Sequence, residues 1–235
     1  MATNHQNLQE QKAALRKAIR EKLNKLSTDE ITRQSTVITN RVLQSSTYQN
    51  AQSLAIFLSM PGREVSTRDI VLQAFKDGKE VFIPFLHTEG TSKSKIMSMM
   101  QLQDEKDFNS LKPDAWGIPS LSPESIQHRR NALGGEGVLN GAVDRQEGYP
   151  KLQLIFMPAV AFDQSRQRLG HGKGFYDRYL ETYKTTLESR HSSGRMPTLV
   201  GLALLPQILP VGENIPVNDN DWRIDQVITA DPENE

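Results

Sequence analysis

Apolar residues recur with two different periods, and the switches between them divide the sequence into elements. Over residues 7–26, Leu15, Ile19, Leu23 and Leu26 fall three or four apart among Ala, Lys, Arg, Glu and Gln, which predicts a helix. Ser27-Thr28-Asp29-Glu30 then offers a capping signal for a second helix. That helix carries Ile31, Val37, Ile38, Val42 and Leu43 and ends near Ser45. Residues 53–59 form a short unbroken apolar run, expected as a buried strand. Met60-Pro61-Gly62-Arg63 breaks it, Ser66 is expected to cap a helix over 67–76, and Asp77-Gly78 to stop that helix. Residues 80–84 are the next strand. Strand, helix and strand in this order predict a right-handed βαβ unit and a parallel sheet.

Residues 89–95 are polar and loop-like. The methionine-rich run 96–102 is expected as a strand, with Met97, Met99 and Met100 filling core space. Trp116-Gly117-Ile118-Pro119 reads as an ordered turn, with Trp116 structural or, alternatively, stacking on a flat ligand. Residues 120–150 read as an irregular insertion, with Gly134, Gly135, Gly137 and Gly141 and few large apolar side chains. Regular patterning returns with a buried strand at 152–157, a helix at 175–187, a buried strand at 198–204 and a last strand at 227–229. A loop-rich stretch with Pro206, Pro210 and Pro216 precedes that last strand, and the tail after it is expected to fray.

Composition narrows the function. Lys plus Arg number 28 and Asp plus Glu number 28, so the chain lacks the basic excess of a general nucleic-acid binder. There is no cysteine among the 235 residues, which removes disulfides, thiolate metal sites and cysteine nucleophiles. No apolar run approaches membrane-spanning length, and the first residues lack the apolar core of a secretory signal. Acidic Glu10 speaks against a mitochondrial presequence, so a cytoplasmic protein is expected, with a mitochondrial form left open.

Chemistry concentrates at Arg168-Leu169-Gly170-His171-Gly172-Lys173-Gly174-Phe175-Tyr176-Asp177-Arg178. Alternating glycines let successive amides turn inward as a donor nest, and the helix that follows adds free N–H groups. Lys173 and Arg168 add full charges, and His171 is a possible anion donor. An anion site, and a nucleotide as its ligand, is the better reading; a simple chain-reversing turn is the other. It is not a Walker loop, because Gly174 stands where Ser or Thr would follow the lysine, and its glycine spacing is not the dinucleotide fingerprint. Asp177 opens the helix, where an acid offsets the dipole, but beside a phosphate nest it is also a candidate for magnesium. Asp219 and Asp221 are candidates for a second carboxylate, or belong to a solvated turn. Lys12 and Arg16, four apart on the first helix, are either a solvated basic face or arms reaching an anionic ligand. Leu58 and Glu64 lie just past the first strand, where ligands of open parallel sheets gather; Glu64 is a ligand carboxylate or an ordinary loop acid.

The stretch from Arg168 to Asp177 closely resembles the signature of the 5-formyltetrahydrofolate cyclo-ligases. The resemblance continues through Lys12 to Arg16, Phe57-Leu58-Ser59-Met60, Trp116-Gly117-Ile118-Pro119, Phe156-Met157-Pro158 and Pro216-Val217-Asn218-Asp219-Asn220-Asp221, in matching order and spacing. It implies an α/β fold: one three-layer α/β/α domain with a mostly parallel sheet over the whole chain, the 120–150 stretch being inserted. It also implies MgATP-dependent conversion of 5-formyltetrahydrofolate to 5,10-methenyltetrahydrofolate, with ADP and phosphate released. By that similarity Lys12, Arg16, Arg168, Leu169, Gly170, His171, Gly172, Lys173, Gly174, Phe175 and Tyr176 bind ATP, with Lys173 and Arg168 catalytic. Asp177 and Asp221 hold Mg2+. Arg16, Leu58, Glu64, His171, Gly172, Lys173, Gly174 and Phe175 contact the folate. The implied partners are these two small molecules, with no nucleic acid or membrane, and the implied state is a monomer.

The sequence differs from the usual signature in three places. His171 stands where Arg or an aromatic residue is frequent, Phe175 where Tyr is common, and Ser120-Leu121 where Glu-Pro is frequent. Two other classes of function fit less of the sequence: a binding protein that keeps the scaffold without turnover, and a sugar-phosphate isomerase on a similar layered fold.

Overall fold

The computed structural model describes residues 2–88, 94–138, 152–189 and 194–231. Its helices are α1 (Ala2–Leu23), α2 (Thr28–Gln44), α3 (Ser46–Asn50), α4 (Arg68–Lys76), α5 (Glu105–Ser110) and α6 (Phe175–Ser189). The strands of the main sheet are β1 (Ser53–Ile56), β2 (Glu80–Thr88), β3 (Lys95–Leu102), β6 (Leu154–Met157), β9 (Thr198–Leu202) and β10 (Gln226–Ile228). Two short ribbons pair β4 (Lys112–Pro113) with β5 (Pro119–Ser120), and β7 (Ala161–Phe162) with β8 (Arg168–Leu169).

The main sheet runs in the order β10-β9-β6-β1-β2-β3. Every neighbouring pair is parallel except β2 and β3, which form an antiparallel edge. The expected mostly parallel α/β sheet is therefore present. Consecutive residues of each strand point to opposite faces. Leu54 and Ile56 of β1 join one core with Ile19 of α1, Ile38 and Val42 of α2 and Ile70 of α4. Ala55 between them joins a second core with Ile155 of β6 and with Tyr179, Leu180 and Tyr183 of α6. Helices thus cover both faces, which explains why the parallel strands are continuously apolar rather than alternating.

The chain moves outward from β1 through β2 to β3, then returns to β6 on the other side of β1. The gap between β1 and β6 is the point at which the direction of winding reverses. The loops leaving their carboxyl ends are the natural place for a ligand.

Four expectations need correction. Ser66 does not cap α4: its N–H donates to Ser35 Oγ, and Thr67 occupies the cap position without a side-chain capping bond. The Thr67 hydroxyl instead donates to the Phe57 carbonyl, tying the loop back to β1. The first helix ends at Leu23, not Leu26, because residues 24–26 close into a turn. Trp116, expected as structural or as stacking on a flat ligand, is 67% exposed and takes no part in the core.

The last correction concerns residues 120–138, which are built into the core. Leu121, Ile126, Ala132 and Leu133 are buried, a 3-10 helix spans Pro123–His128, and Ala132 N–H donates to the Met99 carbonyl at the edge of β3. Arg129 forks onto Asp107 at 2.5 and 2.7 Å and also donates to the Gln101 carbonyl. This segment covers part of an edge strand whose backbone would otherwise present unpaired groups. The remainder of the predicted insertion, including Gly141, and most of the 89–95 loop lie outside the described residues.

Candidate functional site

The glycine stretch leaves the sheet through the β7–β8 ribbon. Asp163, buried in its turn, accepts the Gln167 N–H through one oxygen and the Ile215 N–H through the other, each at 2.9 Å. The Gln207 amide donates to the Ala159 carbonyl and fixes the approach to the ribbon. The loop is therefore held at its base by buried polar groups. Beyond Leu169 it turns through Gly172 and Gly174, with φ of +100° and +62°, values a residue with a Cβ rarely adopts. A Cβ on Gly172 would also come within 3.3 Å of the Arg16 guanidinium, so the close packing of α1 on the loop depends on glycine there.

A cavity of about 520 Å³ opens over this loop. The residues from Arg168 to Arg178 line it together with Gln9, Lys12 and Arg16 of α1, Glu181 of α6, and Asn218 to Trp222. The two ends of the sequence therefore meet around the glycines. Arg16 Nε donates to the Gly170 carbonyl at 2.8 Å, and Lys12 Nζ meets Asp221 Oδ2 at 2.5 Å. Lys12 is only 5% exposed, so the basic pair is not a solvated face. Burial, and then the neighbouring Arg20, lower the Arg16 pKa from its usual value, while Asp221 opposes them.

The two candidate metal carboxylates share a pattern. Asp177 Oδ1 accepts Arg168 Nη2 at 2.8 Å and the Trp222 N–H at 3.3 Å. Asp221 Oδ2 accepts Lys12 and the Asn218 N–H, the latter at 2.7 Å. In each acid one oxygen carries both hydrogen bonds and the other is left for a further partner. Among the described residues no group of three or more His, Asp or Glu is arranged as a metal cage. That donor set suits magnesium, which takes one or two carboxylates and completes its shell with phosphate oxygens and water. Asp219 lines the same cavity and is exposed.

Two buried polar atoms in this wall have no hydrogen-bond partner: Arg168 Nε and Tyr176 Oη. Burial drives the Tyr176 phenol well above its usual pKa, so it stays protonated and remains a donor. Unsatisfied buried donors are uncommon, and here they border an anion-sized cavity lined by glycine amides.

Leu58 and Glu64 do not line this cavity. They border a second one, of about 380 Å³, between α2, the 58–69 loop and the Phe108 and Gly117–Pro119 region. Glu64 Oε2 accepts the Met60 N–H at 2.7 Å. Its other oxygen lies 3.5 Å from His171 Nε2, on the glycine loop. So the structure gathers Lys12, Arg16, residues 168–177 and Asp221 in one cavity, and places Leu58 and Glu64 in its neighbour.

Arg178 is expected from the sequence only as a flanking charge of the glycine stretch, and Trp222 is not expected at all. Arg178 Nη1 donates to the Lys173 carbonyl at 2.7 Å, and its guanidinium lies 5.4 Å from the Phe175 ring centroid. The spacing of three between Phe175 and Arg178 on a helix was a usable signal. Nothing local marks Trp222, whose N–H reaches an acid 45 positions away.

The profile of the 5-formyltetrahydrofolate cyclo-ligase family matches residues 8–230. A 5-formyltetrahydrofolate cyclo-ligase of Mus musculus is 32% identical over 220 residues, covering 94% of this chain and 94% of the mouse protein. A probable 5-formyltetrahydrofolate cyclo-ligase of Caenorhabditis elegans is 31% identical over 221 residues, covering 94% of this chain and 93% of its own. The solved structure of a 5,10-methenyltetrahydrofolate synthetase from Mycoplasma pneumoniae superposes with a TM-score of 0.58 at 19% identity, covering 94% of this chain and 99% of that one. This last likeness concerns the fold.

Proposed function

The chain belongs to the 5-formyltetrahydrofolate cyclo-ligase family, a family of enzymes, and on that premise we propose that it converts 5-formyltetrahydrofolate to 5,10-methenyltetrahydrofolate using MgATP. ADP and phosphate are the other products. The observation that carries this reading is the convergence of Lys12, Arg16, Arg168 and Lys173 with Asp177 and Asp221 around one glycine loop, next to Glu64.

An N-formyl group is a poor electrophile, and its oxygen is a poor leaving group. Transfer of the terminal phosphoryl group of ATP to the formyl oxygen releases ADP and gives an iminium phosphate. Attack by N10 on the formyl carbon, loss of the N10 proton and departure of phosphate complete the new ring. Both nucleophiles belong to the substrate, so the protein supplies position and charge. The loop amides, Lys12 and Arg16 bind the nucleotide. Lys173 and Arg168 offset charge on the transferring phosphoryl group. Asp177 and Asp221 hold Mg2+, which when bound shields phosphate oxygens and acts as a Lewis acid. Leu58, Glu64 and the His171–Phe175 part of the loop face the folate, with Arg16 shared between the two ligands. In this reading the chain acts as one catalytic domain, as a monomer, in the cytoplasm and on small molecules only.

The test is the growth of methenyltetrahydrofolate absorbance with purified protein, 5-formyltetrahydrofolate, ATP and Mg2+. Omitting ATP should abolish it. Folded protein that produces no absorbance with all components present refutes the reading.

A further inference from the structure

We propose that Lys12 and Arg168 make the site accept a metal–nucleotide complex while rejecting the metal and the nucleotide offered singly. The proposal rests on the MgATP reading above and adds a specificity role for the two bases.

Both carboxylates that would hold a divalent cation are already neutralised by a base. Lys12 and Asp221 are 6% and 21% exposed at the side chain, and Arg168 and Asp177 are 4% and 20% exposed. Charges this shielded from water need a partner at all times. A cation arriving alone at the open oxygen of Asp221 or Asp177 meets the charge of Lys12 or Arg168 on the other oxygen, and taking both oxygens would strand that base without an anion. A nucleotide arriving alone brings its phosphates against Asp177, Glu181, Asp219 and Asp221, which line the same cavity. It would also draw Lys12 and Arg168 away and leave two acids unpaired.

Arrival of both together resolves the conflict. Lys12 and Arg168 turn to phosphate oxygens while Asp221 and Asp177 turn to the cation, and no buried charge loses its partner. Arg168 Nε is already a buried donor without an acceptor, so this base has capacity for an incoming anion. Arg16 hydrogen-bonds to a carbonyl and Lys173 pairs with no carboxylate among the described residues, so those two do not share the gating role. Metal and nucleotide affinities should therefore be strongly and reciprocally coupled, through an exchange of partners at two ion pairs.

The test uses the full chain, with Mn2+ as the probe cation read by the loss of its free EPR signal. Adenylyl imidodiphosphate, a non-transferring ATP analogue, is titrated calorimetrically with and without Mn2+. Once the association of Mn2+ with the analogue measured without protein is subtracted, the wild-type protein should bind each probe at least tenfold more tightly when the other is present, inside the roughly 5- to 150-fold range of ordinary site–site coupling. Lys12→Met should bind Mn2+ alone more tightly than wild type, about tenfold, because Asp221 is released; it should bind the analogue more weakly. Lys12→Arg should restore weak binding of Mn2+ alone. A purely structural role for Lys12 would weaken both ligands together.

Unchanged or weaker binding of Mn2+ alone to folded Lys12→Met overturns the proposal. Should that variant fail to fold, the wild-type coupling decides: equal affinity for the analogue with and without Mn2+ also overturns it. Neither measurement requires turnover. Absence of methenyltetrahydrofolate would refute the activity while leaving the coupling to be judged separately.

Discussion

His171 Nε2 and Glu64 Oε1 stand 3.5 Å apart, where two cavities that share no lining residue come together. One residue comes from the connection after β6, just beyond the β7–β8 ribbon, and the other from the loop after β1; β6 and β1 are the strands at which the sheet reverses its winding. On the proposed function the phosphates occupy the basic cavity, the folate reaches in from the side of Glu64, and the formyl group sits where the two meet.

Replacing Glu64 should therefore affect the folate more than the nucleotide. Glu64→Gln should raise KM for 5-formyltetrahydrofolate roughly tenfold or more, the loss expected for one charge-assisted hydrogen bond, with KM for ATP changed far less. Steady-state kinetics with each substrate varied in turn read this split. Equal effects on the two constants would remove Glu64 from the folate side.

The Lys173 side chain is exposed and, among the described residues, makes no hydrogen bond or ion pair that its truncation would break. Lys173→Ala should keep the circular dichroism spectrum and melting temperature of the wild type while kcat falls by roughly 10²–10³, the scale for removing one transition-state charge partner. Arg178→Ala should give a smaller loss, about tenfold, since Arg178 acts by pinning the Lys173 carbonyl and packing over Phe175. If Arg178→Ala proved the more damaging of the two, that ordering would be wrong.

Stability has a separate weak point in β9. A Cβ on Gly201 would lie 2.5 Å from Phe162 and 2.9 Å from Ile224, and Phe162 is fully buried. Gly201→Ala should destabilise the protein by roughly 1–3 kcal/mol through overpacking, measurable by urea denaturation. An unchanged midpoint would mean that Phe162 swings aside freely.

The Asp107–Arg129 pair should make the fold sensitive to acid. Burial pushes the Asp107 pKa up, but the hydrogen bond from Arg129 and the Gln103 N–H outweigh it, so the net shift is downward from the ordinary 3.8. A carboxylate with a lowered folded pKa contributes stability that is complete above its unfolded value and disappears as pH falls through its folded value. Wild-type stability should thus decline from about pH 4 downward. Asp107→Asn should remove that part of the decline and cost roughly 3 kcal/mol at neutral pH, because Arg129 stays buried without its anion. Denaturation curves for both proteins between pH 3 and pH 7 compare the two.

The central strands were legible because parallel strands buried on both faces are continuous apolar runs, as in residues 53–56 and 154–157. Residues 120–138 were not legible, because Leu121, Ile126, Ala132 and Leu133 follow no period. Their burial is set by distant parts of the chain, as where Ala132 bonds to Met99 of β3, about 30 positions earlier, so no local pattern announces them. Ser66 was misread because capping is decided by where a hydroxyl points, and its N–H was already committed to Ser35. At the site, the glycine spacing identified the loop, while the partners of Lys12 and Asp177 could come only from the folded chain. Trp222 shows the limit most clearly, since it contributes through its backbone, a group that every residue except proline carries.

The pairing of Lys12 with Asp221 spans 209 positions. During synthesis the first helix therefore emerges long before its partner exists. The cavity acquires its last wall only when residues 218–222 are added. On the proposed function, a chain ending before Asn218 would lack both the acid that pairs with Lys12 and the wall that closes the nucleotide cavity.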